Sequence, residues 1–244
     1  MEAAGKSKIL LIIPAYNEAE GIEALVKKVD AFRASSKYSL DYVVINDGSK
    51  DNTEEVLTKS QIIHVELLQN LGIGGAVQTG YRYALENNYD IAVQFDGDGQ
   101  HNIEDLSVLI DPIIAGEQDF TVGSRFVDDS ESEFKSSTLR QVGIRVLSFI
   151  LKLVSGVEIL DITSGYRAGN RQVIEEFANN YPVKYPEPET YITLARKNLR
   201  IKELGVKMFE REFGKSSISV LKGGAYMFSV SMTLIFVGLF ERRK

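Results

Sequence analysis

The sequence predicts an α/β fold, in which helices cover both faces of a mostly parallel β-sheet. Strand-like apolar runs alternate with segments of helical periodicity from Lys8 to Val122, and a polar or glycine-rich turn follows each strand. The helical segments imply parallel pairing, because a connection between parallel strands has to cross over the sheet. The chain has 244 residues, of which 44% are hydrophobic, enough for one substantial core.

The first predicted unit is a buried strand over residues 8–13, which stops at Pro14 and is followed by an amphipathic helix over residues 18–32. Three similar units and a fifth strand follow. Their predicted strands cover residues 42–46, 62–68, 91–95 and 120–122, and their predicted helices cover residues 51–57, 76–86 and 103–115.

Four polar turns follow successive predicted strands. They are Pro14-Ala15-Tyr16-Asn17-Glu18, Asp47-Gly48-Ser49, Asn70 with the glycines after it, and Asp96-Gly97-Asp98-Gly99-Gln100-His101. In open α/β sheets, ligands bind outside the carboxyl ends of the strands. We therefore expect these turns to line one crevice.

The last of these turns contains a candidate metal site. Asp96 and Asp98 lie one residue apart, so both carboxylates can converge on one hard cation while Gly97 and Gly99 let the backbone turn. Asp-Gly pairs are also common in ordinary turns, so the spacing alone leaves both interpretations open.

The glycine-rich segment over residues 72–75 also has two interpretations. It could bind a phosphate at the start of a helix, or it could form a tight turn between strand and helix. Its spacing matches neither a P-loop nor the Rossmann pattern.

Composition excludes several kinds of chemistry. The chain has no cysteine and only two histidines, His64 and His101, so disulfides, thiolate zinc sites and cysteine nucleophiles are excluded. The net charge of −6 argues against nucleic-acid binding. The short polar segment before the first strand predicts no secretory signal. Catalysis is therefore expected to depend on carboxylates, arginines and oxygen-bound metal.

Together these motifs resemble family 2 glycosyltransferases of the GT-A fold, in particular the polyprenyl-phosphate branch that includes dolichol-phosphate mannose synthase. The resemblance spans residues 8–215. Beyond the four turns it includes Gly123-Ser124-Arg125-Phe126, Asp161-Ile162-Thr163-Ser164-Gly165-Tyr166-Arg167-Ala168 and Arg211-Glu212-Phe213-Gly214-Lys215-Ser216-Ser217.

On the donor side, the resemblance implies a nucleotide sugar, a GDP- or UDP-hexose, as substrate. The implied donor-binding residues are Pro14, Tyr16, Glu18, Asp47, Asn70 and Asp96. Asp96, Asp98 and Gln100 would hold Mg²⁺ or Mn²⁺ against the diphosphate, and Asp98 would thereby be catalytic. For Asp47 the alternative is a helix cap.

On the acceptor side, the resemblance implies that Arg125 and Arg140 bind the phosphate of a polyprenyl phosphate, with Arg125 also catalytic. Ile144 occupies the position of a phosphate-binding serine in that branch, and Arg145 could substitute for it. The alternative for Arg140 and Arg145 is a solvated helix face. The polar segment over residues 128–137 between them is typical of a lid.

The need for a catalytic base depends on the acceptor. A phosphate is already anionic at neutral pH, whereas a sugar hydroxyl has to be deprotonated. Glu187 and Glu189 are the candidates for that base. Prolines flank Glu187, so the alternative for this residue is a rigid surface loop. The resemblance also implies that Asp161 shapes the acceptor site; alternatively it orders the turn at Ser164 and Gly165.

We divide the chain into a GT-A domain over residues 1–218 and an apolar C-terminal segment over residues 219–244. The run over residues 225–240 is shorter than the ~20 apolar residues of a relaxed membrane span. An amphipathic helix at the cytoplasmic membrane interface is favoured, with packing on the core or on a partner subunit as alternatives. The apolar residues of 142–154 could be core or interfacial.

The predicted function is inverting, metal-dependent transfer of a hexose to undecaprenyl or dolichyl phosphate. We expect peripheral association with the inner face of the membrane, with a small membrane protein or a second copy as a possible partner. The alternatives are transfer to a sugar hydroxyl of a lipid-linked glycan or cell-wall polysaccharide, and a catalytically silent subunit that binds a nucleotide sugar.

Overall fold

The computed structural model describes residues 6–127, 138–182, 185–209 and 220–240. Its strands are β1 (Lys8–Ala15), β2 (Ser39–Asn46), β3 (His64–Glu66), β4 (Ile91–Gln94), β5 (Phe120–Ser124), β6 (Arg167–Asn170) and β7 (Ile201–Gly205). Its helices are α1 (Ile22–Ser35), α2 (Thr53–Lys59), α3 (Gly72–Glu86), α4 (Leu106–Ile114), α5 (Thr138–Ser155), α6 (Arg171–Asn180), α7 (Pro186–Arg196) and α8 (Val220–Phe240).

The strands form one sheet in the order β3-β2-β1-β4-β6-β5-β7. Every pairing is parallel except those of β6, which runs antiparallel to both β4 and β5. The prediction of an α/β fold with a mostly parallel sheet is confirmed. Because β6 is reversed, its first residue, Arg167, lies beside the carboxyl end of β4.

Two hydrophobic cores lie on opposite faces of the sheet. Leu10 and Ile12 of β1 face a core formed with α3, α5, α6, α7 and α8. Ile9, Leu11 and Ile13 face the other core, formed with α1, α2 and α4. Successive side chains of a strand point to opposite faces, so the sequence of a strand that is covered on both sides is a continuous apolar run.

The starts of all four predicted α-helices differ from the structure, and α1 and α2 begin at Ile22 and Thr53 rather than at residues 18 and 51. Helix α3 begins at Gly72, so the glycine-rich segment forms its first turn, and the prediction of a helix starting at residue 76 is wrong. Several glycines lower helix propensity, but packing of the helix on the sheet overrides that cost. The helix predicted over residues 103–115 begins as a 3-10 turn at Ile103–Asp105 and continues as α4.

The C-terminal helix α8 packs on α5 and α7. Gly143 of α5 lies against Met227, and Gly238 of α8 lies against Val154, so the two helices run side by side in the same direction. The Arg196 guanidinium of α7 donates to the carbonyls of Val237 and Gly238. Within the described ranges, no helix is long and apolar enough to cross a membrane.

Candidate active site

The first two turns are joined by hydrogen bonds at the carboxyl ends of β1 and β2. Asn17 adopts a left-handed conformation, with φ of 57°. Its main-chain N–H donates to Ser49 Oγ at 2.9 Å, and its side-chain oxygen accepts from the Lys50 N–H at 2.8 Å. The Glu18 N–H donates to Thr53 Oγ1 at 3.0 Å. The predicted convergence of these two turns is therefore present.

The predicted donor residues lie around this junction. Pro14 is buried as part of β1, and the Tyr16 side chain is exposed at the rim. Glu18 is half-buried and, together with Gly97 and Asp98, lines a small crevice beside α1. Donor binding by these residues remains a prediction.

Asp47 and Asn70 are in contact, as their positions after neighbouring strands predict. Asp47 is buried, and its Oδ1 accepts from the Leu71 N–H at 2.7 Å just before α3, while Asn70 Nδ2 donates to the Asp47 carbonyl at 3.2 Å. Burial raises the pKa of Asp47, and the backbone N–H groups of Leu71 and Gly72 oppose that shift. One carboxylate oxygen of Asp47 thus caps α3, as the alternative to donor binding predicted for this residue.

The Asp96 carboxylate is held from two sides. His101 Nε2 lies 3.1 Å from Oδ2, and Gln94 Nε2 donates to Oδ1 at 3.2 Å. Burial alone would raise the pKa of Asp96, but the hydrogen bond and charge of His101, with contributions from Gln94 and Arg167, lower it overall. The carboxylate is therefore ionised and fixed in orientation.

Asp98 and Gln100 complete the acidic turn. Asp98 Oδ1 accepts from the Gln100 N–H at 3.1 Å, and Gln100 Nε2 donates to the Phe209 carbonyl at 3.4 Å. Among the described residues, no cluster of three His, Asp or Glu side chains is placed to hold a metal ion. Mg²⁺ is commonly held by one or two carboxylates together with substrate phosphates. The two hard oxygen ligands fit a metal that binds with a diphosphate.

Arg125 forms an ion pair with Asp161. Its Nε and Nη2 atoms each lie 2.7 Å from a carboxylate oxygen of Asp161, which is fully buried, and Nη2 also donates to Thr163 Oγ1 at 3.2 Å. Glu203 fixes the other side of this loop by accepting from the Asp161 N–H at 2.6 Å. The Asp161 carbonyl accepts from the Ser164 N–H, so Asp161 orders that turn as well. Phosphate binding by Arg125 remains a prediction.

The other predicted acceptor residues lie on α5. Arg145 is exposed there. Arg140 belongs to the same helix, but its side chain lies outside the described residues, as do the predicted lid over residues 128–137 and the motif over residues 211–217. Phosphate binding by Arg140 and Arg145 remains a prediction.

Glu187 and Glu189 lie in the first turn of α7, so the alternative of a rigid surface loop is wrong. Proline is compatible with this turn, because the first N–H groups of a helix have no partner within it. Thr190 Oγ1 donates to the Glu187 carbonyl at 2.9 Å. Burial raises the pKa of the half-buried Glu187, whereas the positive charge of Arg167 lowers it.

Sequence reasoning missed three residues that shape the site. Gln94 and Arg167 are opposite each other across β4 and β6, and Gly165 lies against the Asp96 carboxylate. For Gln94 the available signal was a glutamine at the end of an otherwise apolar strand, because buried polar side chains usually have a specific partner. The short strand β6 offered no such signal for Arg167.

The family model for "Glycosyl transferase family 2" matches residues 10–178. The chain is 34% identical over 225 residues to UDP-N-acetylglucosamine--dolichyl-phosphate N-acetylglucosaminyltransferase of Methanococcus voltae. This match covers 84% of this chain and 87% of the relative. It is 33% identical over 178 residues to polyprenol monophosphomannose synthase of Mycolicibacterium smegmatis, covering 69% of this chain and 64% of the relative.

The fold is similar to that of a solved structure, glucosyl-3-phosphoglycerate synthase from Mycobacterium tuberculosis in complex with Mn²⁺, UDP-glucose and phosphoglyceric acid. The TM-score is 0.69 at 20% sequence identity, and the match covers 96% of this chain and 80% of that chain. At this identity the similarity concerns the fold.

Proposed function

The chain belongs to glycosyl transferase family 2, and we propose that it transfers a hexose from a nucleotide sugar to a polyprenyl phosphate with inversion at the anomeric carbon. One observation carries the proposal. The Asp96 and Asp98 carboxylates lie in one turn after β4, in a chain whose relatives are named for transfer to dolichyl phosphate and for polyprenol monophosphomannose synthesis. The relatives differ in sugar, so the proposal names the acceptor class and leaves the hexose to experiment.

The acidic turn would serve the leaving group. Asp96, Asp98 and Gln100 would hold Mg²⁺ or Mn²⁺, which supplies positive charge for the departing diphosphate. His101 and Gln94 keep the Asp96 carboxylate in one orientation through their hydrogen bonds. Tyr16 and the Asp47 region would bind the nucleoside at the other end of the crevice.

The acceptor needs no base in this reaction. A phosphate monoester has a second pKa near 6, so its oxygen is anionic at neutral pH and attacks the anomeric carbon as the bond to the diphosphate breaks. Arginine side chains suit such an anion. Arg145 is exposed on α5, and Arg125 lies at the end of β5.

Transfer to a sugar hydroxyl is the second candidate, and the raised pKa of Glu187 favours it. We predict that Glu187→Gln with Glu189→Gln keeps at least about a third of wild-type transfer to a polyprenyl phosphate, because that acceptor is already anionic. Transfer is measured with radiolabelled donor. A loss of roughly 100-fold with donor binding intact would instead indicate general-base catalysis, and thus a hydroxyl acceptor.

One face of α5 and α8 is suited to contact a membrane surface, and we call it the membrane face. On α5 it presents apolar side chains at helical spacing, with Arg145 and Lys152 beside them. Its exposed apolar residues are Val142, Val146, Phe149 and Leu153 of α5, and Met232, Ile235 and Phe236 of α8. Apolar side chains bordered by basic ones bind the interface of an anionic bilayer. The proposed location is therefore the inner face of the cytoplasmic membrane.

We predict that Phe149→Asp with Leu153→Asp reduces binding to vesicles of phosphatidylcholine and phosphatidylglycerol by roughly tenfold or more. These side chains are 62% and 70% exposed, so the substitutions are compatible with folding. Co-sedimentation measures the binding. The control Ile114→Asp places a carboxylate on α4, on the opposite side of the sheet, and should bind like wild type. Equal binding by all three proteins would contradict the assignment of this face.

The function itself is tested with undecaprenyl phosphate in detergent, Mn²⁺ and a panel of labelled GDP- and UDP-hexoses. A labelled product that partitions into organic solvent and is released by mild acid would support the proposal and identify the sugar. Hydrolysis of a nucleotide sugar without lipid product would favour the hydroxyl acceptor. No binding or turnover of any donor would contradict both candidates, whereas binding without turnover would point to a silent subunit.

A further inference from the structure

Arg167 is a fully buried arginine at the start of β6, with 1% of its surface exposed. Its guanidinium donates to three neutral oxygens, namely the Ser164 carbonyl at 2.6 Å, Thr190 Oγ1 at 3.0 Å and the Tyr191 hydroxyl at 3.3 Å. It also lies 4.9 Å from the centre of the Tyr191 ring. These contacts orient the group, but none of them carries a negative charge.

In the part of the chain that the structure describes, no carboxylate lies within ion-pair distance of this guanidinium. The other buried arginine of the crevice, Arg125, is paired with Asp161 at 2.7 Å. Burying a charge costs several kcal/mol unless an opposite charge compensates it. Arg167 thus carries a buried charge with no ion-pair partner among the described residues, and departures of this kind from the usual rules of packing are characteristic of functional positions.

The location of Arg167 indicates what its charge acts on. Arg167 is opposite Gln94 in the β4–β6 pair, so their side chains share one face of the sheet. The Gln94 side chain in turn donates to the Asp96 carboxylate just beyond β4, at 3.2 Å. Its charge lowers the pKa of Asp96 and of Glu187. The guanidinium therefore lies behind the acidic turn, on the side away from solvent.

We propose that Arg167 is a positioning residue that supplies a fixed positive charge behind the metal and diphosphate site, favouring the anionic leaving group at the expense of metal affinity. This inference rests on the proposed function. A charge held in place before the reaction needs no reorganisation as negative charge develops on the diphosphate, and the surrounding low dielectric strengthens its effect. The hydrogen bonds that the guanidinium donates to Ser164, Thr190 and Tyr191 serve to keep that charge in place.

The proposed role and a purely structural role predict opposite changes in Mn²⁺ affinity when Arg167 is replaced. A positive charge repels a divalent cation, so its removal should strengthen the binding of Mn²⁺ alone. If Arg167 served only to hold the site together, its removal would disorder Asp96 and weaken Mn²⁺ binding. The affinity for Mn²⁺ therefore distinguishes the two roles independently of any activity measurement.

The experiment compares wild type with Arg167→Met and Arg167→Gln, the second of which retains a donor for the Ser164 carbonyl. Calorimetry measures binding of Mn²⁺ alone, thermal unfolding measures stability, and metal-dependent donor turnover gives kcat. We expect Mn²⁺ to bind roughly threefold more tightly or better in both variants, and kcat to fall by roughly tenfold or more. The control Arg171→Met removes the same charge beyond the other end of β6, from an arginine paired with Glu175, and should change neither quantity.

Unchanged or weaker Mn²⁺ binding in the folded variants, or an unchanged kcat, would overturn the proposal. Failure of both variants to fold would also overturn it, because the role of Arg167 would then be structural. The outcome is separable from that of the proposed function. Mn²⁺ binding and donor hydrolysis require no lipid, so absence of a prenyl product in the wild type would refute the acceptor alone.

Discussion

Replacement of Gly165 by alanine is expected to reduce metal-dependent donor turnover by roughly 100-fold while the protein remains folded. Gly165 lies against Asp96, and each of the two residues is two positions beyond the Gln94–Arg167 pair of β4 and β6. A methyl group on Gly165 would lie 2.8 Å from the carboxyl carbon of Asp96 and closer still to one of its oxygens. The carboxylate has to move, and displacement of a catalytic group by about 1 Å costs on the order of 10² in rate.

The neighbours of Asp96 explain why this movement would be harmful. Its two oxygens are held by His101 and Gln94, so the carboxylate cannot leave its present place without loss of at least one hydrogen bond. A glycine at position 165 leaves room for that arrangement. The rate effect should therefore be accompanied by weaker Mn²⁺ binding, which calorimetry measures directly.

The matched control for this substitution is Gly169→Ala in β6, four residues further along the chain. A methyl group there would meet the side chain of Val173 in the core, away from the crevice. It should lower the melting temperature without a change in kcat. If Gly165→Ala and Gly169→Ala lost activity equally per folded molecule, the close contact between Gly165 and Asp96 would have no catalytic significance.

The crevice could be predicted from the sequence because it depends on local patterns and one topological rule. Each of the turns at Asn17, Asp47 and Asp96 follows a strand with a strong apolar signal, and the carboxyl ends of parallel strands share an edge. The structure joins the first two turns through Asn17 and Ser49, as that rule implies. Only the pairing of neighbouring strands was needed for this part of the prediction.

The other half of the site could not be predicted in this way. Strand β6, Arg167–Asn170, is four residues long and contains a glycine, so it has no strand periodicity of its own, and its reversed direction depends on tertiary pairing with β4. That pairing brings Gly165 and Arg167 to the acidic turn. The start of α3 at Gly72 was missed for a related reason, since contacts with the sheet outweigh the helix propensity of glycine.

Replacement of Asp98 by alanine is expected to lower metal-dependent donor turnover by roughly 1000-fold or more, since the metal would lose one of its two carboxylates and the leaving diphosphate its charge compensation. Stability should change little. Asp98 is half-buried, and its hydrogen bond from the Gln100 N–H lies within the same turn. Glu104→Ala, which removes an exposed carboxylate from the following 3-10 turn, is the control and should retain wild-type turnover.

Replacement of Asp96 by alanine is expected to lower stability as well as turnover. Alanine there would remove the hydrogen-bond partner of His101 Nε2, and the Nδ1 atom of this buried ring already has no partner in the described part of the protein. Leaving such groups unpaired costs about 1–3 kcal/mol each, so Asp96→Ala should be inactive and also destabilised. Thermal unfolding of the two variants checks this contrast. Equal melting temperatures would mean that the contact between His101 and Asp96 does not contribute to stability. A lower melting temperature for Asp96→Ala alone would identify Asp98→Ala as the variant that tests metal binding without a change in folding.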